Sequence, residues 1–175
     1  LDIVRHTRVP GWVWNGMSYV GAKGCWPQTS NLGVAAHELG HNYGLMHANF
    51  WNAAGDSVIG AGSNVEYGDT FDTMGYAQAG AYHFNVINRW ELDWLPDSYF
   101  HHVADSGTFR VYAFDVSQIV SENRYGLRIR KDYGRDYWAE FRQGFADNPW
   151  TQNGLLLHWD RWDNGVGNSA GGTQL

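Results

Sequence analysis

Residues 37–47 read His-Glu-Leu-Gly-His-Asn-Tyr-Gly-Leu-Met-His. Residues four apart share one face of an α-helix, so His37 and His41 can offer two imidazoles to one metal ion. Glu38 lies about 100° further round the axis, beside such an ion and not on it. A base must stand there to take a proton from a water that the ion holds. Gly44 is the residue type on which helices commonly end, in the left-handed conformation, and the sharp turn it permits returns His47 beneath the ion. Three neutral imidazoles with a fourth position open are the donor set of catalytic zinc, whereas structural zinc closes its shell with four protein ligands. A bare His-Glu-x-x-His arises by chance in many proteins. The five positions together coincide on the order of once in 100,000 chains of this length, which favours a zinc site over coincidence.

These side chains need a helix to carry them. Ser30 or Asn31 caps one that runs through residues 32–44, with Leu32, Ala35, Ala36, Leu39 and Tyr43 at helical spacing. Upstream, the Asn15-Gly16 turn signal opens a short strand at residues 17–21. Residues 50–73, rich in Gly, Asn, Asp and Ser, read as a long loop, of a length that is usually functional or ligand-stabilised. A second helix spans residues 81–94 and ends before Pro96. Beyond residue 100 the pattern becomes strand-like at residues 108–116, 127–130, 137–142 and 155–159, an antiparallel β region of about four strands. The class expected is α+β.

The bulk properties narrow the function. A chain of 175 residues, 43% hydrophobic and 17% charged, makes one domain or one domain with a small appendage. Its net charge of −6 carries no basic footprint for nucleic acid. No apolar run approaches the roughly 20 residues of a membrane span, so a soluble chain is expected. Ten Trp and 22 Gly against four Pro predict an aromatic core joined by tight turns. Cys25, the sole cysteine, excludes an internal disulfide and reads as a buried small apolar residue, with a thiol near the metal as the alternative. The chain starts at Leu1 without a signal peptide, as a processed or truncated piece of a longer polypeptide would.

Downstream, Asp72-Thr73-Met74-Gly75-Tyr76 supplies the second half of a known pattern. With the zinc motif it resembles the metzincin metallopeptidases, which pair that motif with a Met-turn. The resemblance implies that Met74 forms an apolar floor beneath the histidines without ligating the metal. Tyr76 matches a tyrosine that astacin-like and serralysin-like metzincins place two residues after the methionine, within reach of the zinc or the developing oxyanion. A core tyrosine is the equal alternative. His47-Ala48-Asn49 and residues 66–75 look like the gametolysin family. Residues 137–160 resemble the β-rich tail of gametolysin-like and immune-inhibitor-A-like peptidases.

What this implies is a metzincin (zincin-like) catalytic domain at residues 1–100 and a β-rich appendage at 101–175. The resemblance implies that the domain is N-terminally truncated, because metzincin catalytic domains place several strands and a helix before the active-site helix and only 36 residues precede His37. The implied protein is a secreted, extracellular Zn2+ endopeptidase with Glu38 as general base. It takes an extended peptide, of an extracellular-matrix glycoprotein for example, against an edge strand at residues 17–21.

Other residues stay open between two readings. Glu66, Asp69 and Asp72 form either a Ca2+ site or a set of hydrogen bonds bracing the loop, the second being favoured; Asp160 and Asp163 repeat the question more weakly. His101, His102 and His158 are surface or core histidines. The tryptophans of residues 138–162 either fill the core or line up as a glycan-binding row. The latter would make the chain a non-catalytic matrix- or glycan-binding module with a structural zinc. Glu38, which such a module does not need, favours the enzyme.

Overall fold

The computed structural model describes residues 2–56, 60–76, 83–116, 118–133, 135–144, 151 and 153–159, and the backbone of 173 and 174. The chain is α+β. Helix α1 covers Leu32–Asn42 and is followed by strands β1 (Asn49–Ala53) and β2 (Gly62–Val65). Helix α2 (Val86–Glu91) and a 3-10 turn (Asp97–Tyr99) lead into β3 (Phe100–Val103), β4 (Gly126–Asp132), β5 (Arg135–Glu140), β6 (Leu156–Trp159) and β7 (Thr173–Gln174). The strands form one sheet in the order β2-β1-β7-β6-β5-β4-β3, so strands from both sides of residue 100 share it.

The sheet is mixed where an antiparallel one was expected. β4 and β5, β5 and β6, and β6 and β7 pair antiparallel, but β3 pairs parallel with β4, and β1 with β7. Parallel neighbours need a long connection. Between β3 and β4 that connection includes residues 108–116, which form no strand despite their alternation. Instead Ala113 and Phe114 turn into the core, and Tyr112 N donates to Arg124 O at 2.8 Å. The other three strand expectations fall on β4, β5 and β6.

Three further expectations are corrected. The stretch at 17–21 makes one antiparallel bridge, Ser18 to Cys25, and no longer ladder. Gly21, at φ +67°, turns the chain back before a strand can extend. The expected loop at 50–73 contains the β1–β2 hairpin; β2 is exposed throughout, so no apolar alternation betrays it. Helix α2 is shorter than 81–94. Asn85 caps it by accepting from Asn88 N at 2.9 Å, and Asp93, at φ +57°, breaks it before Pro96. Residues 81 and 82 lie outside the described residues.

Helix α1 starts at the second of its two candidate caps, where Asn31 Oδ1 accepts from Val34 N at 3.1 Å. It ends two residues early, on a Schellman turn. Leu45 N reaches Gly40 O at 3.0 Å and Gly44 N reaches His41 O at 2.8 Å, with Gly44 at φ +100°. The buried face differs from the apolar stripe in the sequence. Leu32 and Tyr43 are exposed, whereas His37, Glu38, Gly40, His41 and Asn42 are buried. The helix turns its polar side inward because that side builds a site.

Two apolar clusters support it. Val86, Ile87, Leu95, Phe100, Phe114, Tyr125 and Trp138 join α2 to the sheet. Leu45, Ala48 and Met74, with Phe84 and Leu92 against them, lie under α1. Among the described residues, no helix is long and apolar enough to cross a membrane.

Candidate metal centre

The Schellman turn brings His47 back to the two helix histidines. Ring centroids of His37, His41 and His47 lie 4.7, 4.9 and 5.4 Å apart, and one ring nitrogen of each lies within 4.8 Å of the others. Three histidines are therefore close enough to bind one metal ion. Among the described residues, this is the only group of three or more His, Cys, Asp or Glu side chains so placed.

The donor chemistry fits a borderline metal such as zinc. Each Nδ1 has an oxygen partner: His37 faces Thr73 O at 2.8 Å, His41 faces Leu45 O at 2.8 Å, and His47 faces Glu66 Oε1 at 2.7 Å. A carbonyl or carboxylate can only accept, so each Nδ1 carries the proton and each Nε2 lone pair is left for a metal. Burial lowers the pKa of His37 to about 4, helped by the neighbouring His41 and His47 and opposed by the Thr73 carbonyl. Burial likewise lowers that of His47, against the pull of Glu66. Both rings are thus kept neutral, the form that ligates.

Glu38 stands beside the triad, buried, with Oε2 accepting from Ser18 Oγ at 2.6 Å. Burial raises its pKa, and the Ser18 hydroxyl opposes the rise. The site opens on a cleft of about 600 Å³. Val13, Trp14 and Gly16 form one wall, residues 65–68 the other, and His37 and Glu38 line the space between.

Met74 is fully buried beneath α1, in the turn closed by Gly75 N to Asp72 O at 3.0 Å. Ala48 N donates to Met74 O at 2.9 Å, tying that turn to the residue after His47. Asp72 takes N–H groups of Met74 and Asn85 and, at 3.1 Å, the Asn88 amide. Asp69 accepts from Phe71 N at 2.9 Å. With Glu66 engaged by His47, the three acids brace the loop, the favoured reading above. Asp160 and Asp163 lie outside the described residues.

A buried ionic network then anchors the loop to the sheet. Arg142, fully buried, pairs with Glu140 at 2.6 Å and donates to Phe71 O at 2.5 Å. Glu140 also accepts from Val86 N at 2.7 Å. His158, between Glu140 at 3.3 Å and Asp69 at 3.7 Å, is a core histidine. Burial disfavours its charged form, but the two carboxylates outweigh that and raise its pKa. His102 is exposed and His101 half-buried.

The aromatic ring packed against His47 and His37 is one the sequence does not single out. Tyr67 lies 3.9 Å from the His47 ring and 5.8 Å from His37, centroid to centroid, on a backbone at φ +60°. Tyr76, about half exposed, lines the same cleft, and its N–H donates to Asp69 O at 3.1 Å. Ser18 and Gly16 are further additions. The left-handed tyrosine had no local signal, since that conformation is far commoner for glycine or asparagine. Cys25 is fully buried and outside the histidine cluster, and burial pushes its thiol pKa up. Trp138 and Trp159 are buried in the core, while Trp150 and Trp162 lie outside the described residues.

Compared with protein-family models, curated proteins and solved structures, the chain matches none.

Proposed function

We propose that this chain is a zinc-dependent endopeptidase. Within that class its motifs are most similar to those of the metzincins, and among them to the gametolysin family. The likeness rests on residues 37–49 and 66–76 and carries with it a secreted enzyme acting on extracellular proteins. One observation supports the reading above the rest: three imidazoles converge, each with its Nδ1 on a carbonyl or carboxylate oxygen, while the buried Glu38 carboxylate lines the cleft beside them.

His37, His41 and His47 would hold the zinc ion, which when bound would supply Lewis acidity toward a water and the scissile carbonyl. The residues of the chain do the rest. Glu38 takes the proton of the attacking water and passes it to the leaving amine. Its partly desolvated carboxylate is a stronger base than an exposed one, in keeping with the raised pKa. The Thr73 and Leu45 carbonyls and the Glu66 carboxylate hold the imidazoles in their ligating tautomer. The cleft between residues 13–16 and 65–68 is proposed to accept an extended peptide. Tyr76 is proposed to assist at the oxyanion from the cleft rim.

The test is mass-spectrometric mapping of cuts in a mixed peptide library by the zinc-loaded chain and its Glu38→Ala variant. Cuts by the parent only, with zinc retained in both, are expected. Equal cutting by the variant would overturn the role of Glu38.

A further inference from the structure

Glu38 and Asn42 are four residues apart and face the same side of α1, away from the face that aligns His37 with His41. Against that side lies the short hairpin of residues 15–28. Asn42 Nδ2 meets three of its carbonyls, those of Tyr19 at 3.0 Å, Ala22 at 2.9 Å and Gly24 at 2.9 Å. From the hairpin, Gly21 N donates to His41 O at 2.8 Å. Internal bonds stiffen the hairpin: Gln28 N to Asn15 O at 2.7 Å, Trp26 N to Met17 O at 2.8 Å and Tyr19 N to Gly24 O at 3.2 Å. The hairpin is thus fastened to the last turn of the helix that carries the metal ligands.

Two of its residues reach Glu38. Ser18 Oγ donates to Oε2 at 2.6 Å. Gly16 lies against the other side of the carboxylate. A Cβ there would come within 2.5 Å of Oε1, 2.7 Å of Cγ and 2.9 Å of Cδ. Resting on the endopeptidase reading, we propose that Ser18 is the positioning residue for the general base, with Gly16 as the wall that completes its seat.

The terminal torsion of a glutamate is broad and two-fold, so a free carboxylate samples many orientations. The Ser18 bond occupies one oxygen and the Gly16 backbone blocks rotation on the other side. Oε1 is left as the oxygen that accepts the proton. Misplacing a reacting group by about 1 Å costs around a hundred-fold in rate, and a hydrogen bond to a charged group is worth about ten-fold or more. Because the same segment forms a wall of the cleft, the base is aligned by the chain that a substrate lies against.

The experiment compares zinc-loaded wild type with Ser18→Ala, Ser18→Thr and Gly16→Ala, and adds crystal structures of the metal-free wild type and Ser18→Ala proteins. Ser18→Ala is expected to lower kcat roughly ten- to hundred-fold while KM stays within about two-fold and zinc stoichiometry is unchanged. Ser18→Thr restores most of the rate, and Gly16→Ala lowers it as Ser18→Ala does. In the metal-free crystals Glu38 has one orientation in wild type and more than one in Ser18→Ala. An unchanged kcat, or a single unaltered Glu38 orientation in Ser18→Ala, would overturn the proposal. If the wild type cuts no peptide, the endopeptidase reading falls, and the crystal comparison alone decides the seat.

Discussion

Gly40 lies directly against Met74: a methyl group added at residue 40 would overlap the Met74 sulfur. The helix and the turn beneath it therefore touch through a bare backbone on one side and a flexible thioether on the other. Both residues are buried, and Ala48, beside the third histidine, hydrogen-bonds the same turn.

Gly40→Ala poses two effects against each other. Alanine improves helix propensity by about 1 kcal/mol. Overpacking a closed core costs about 1–3 kcal/mol, and a fully buried Met74 has little room to yield. A net loss of stability is expected, with weaker zinc binding because the turn also supplies Thr73 O to His37. Met74→Leu, close in volume, should cost less than about 1.5 kcal/mol. Urea unfolding of the metal-free proteins checks both; a Gly40→Ala variant more stable than wild type would contradict the packing account.

Glu66 is the oxygen partner of the one histidine that α1 does not carry. Partners of this kind commonly change metal affinity about ten- to a hundred-fold. The side chain is 65% exposed, so the lower end is expected, about ten-fold for Glu66→Ala. Glu66→Gln, which keeps an acceptor oxygen, should lose less. Competition against a chromogenic chelator measures it, and identical affinities for wild type and Glu66→Ala would remove Glu66 from the site.

Arg142 is the buried cation between Glu140 and the loop that leads into Met74. Removing one partner of such a pair leaves an uncompensated charge, typically at a cost of about 3–5 kcal/mol. Arg142→Met should show that loss in urea unfolding, and a loss under about 1 kcal/mol would show that the network carries little of the fold.

The pH dependence follows from His37. Its pKa falls from 6.5 to about 4 on folding, chiefly through burial. Between those values the unfolded chain binds more protons than the folded one, so this residue's contribution to stability declines as pH falls from 6.5 towards 4. Zinc, which needs neutral rings, leaves in the same direction. Dialysis at stepped pH with metal analysis should show zinc present at pH 7 and lost by about pH 4. Zinc held undiminished below that would contradict the triad as ligands.

The residues legible beforehand are those whose relation is local. His37, Glu38, His41 and His47 follow from helical spacing and one glycine, and Met74 from the turn that the resemblance picked out. The supporting contacts are not local: Ser18 is 20 residues from Glu38, and Glu66 is 19 from His47. Tyr67 reaches His47 only because the β1–β2 hairpin returns the chain, and its exposed β2 strand carries no pattern to read. Residues 108–116 show the converse, an alternation whose partner strand does not exist among the described residues. The spacing places helix α1 to within two residues of its end, yet the apolar stripe misjudges the buried face, because the inward side chains are the clustered histidines, Glu38 and the Asn42 clamp.

The most direct measurement is zinc titration into the chelator-stripped chain, following peptide cleavage and bound metal together. Cleavage that rises with zinc and saturates at one equivalent, and that is absent in His47→Ala, is the predicted result. Cleavage that ignores zinc, or none when one equivalent is bound, would contradict the account.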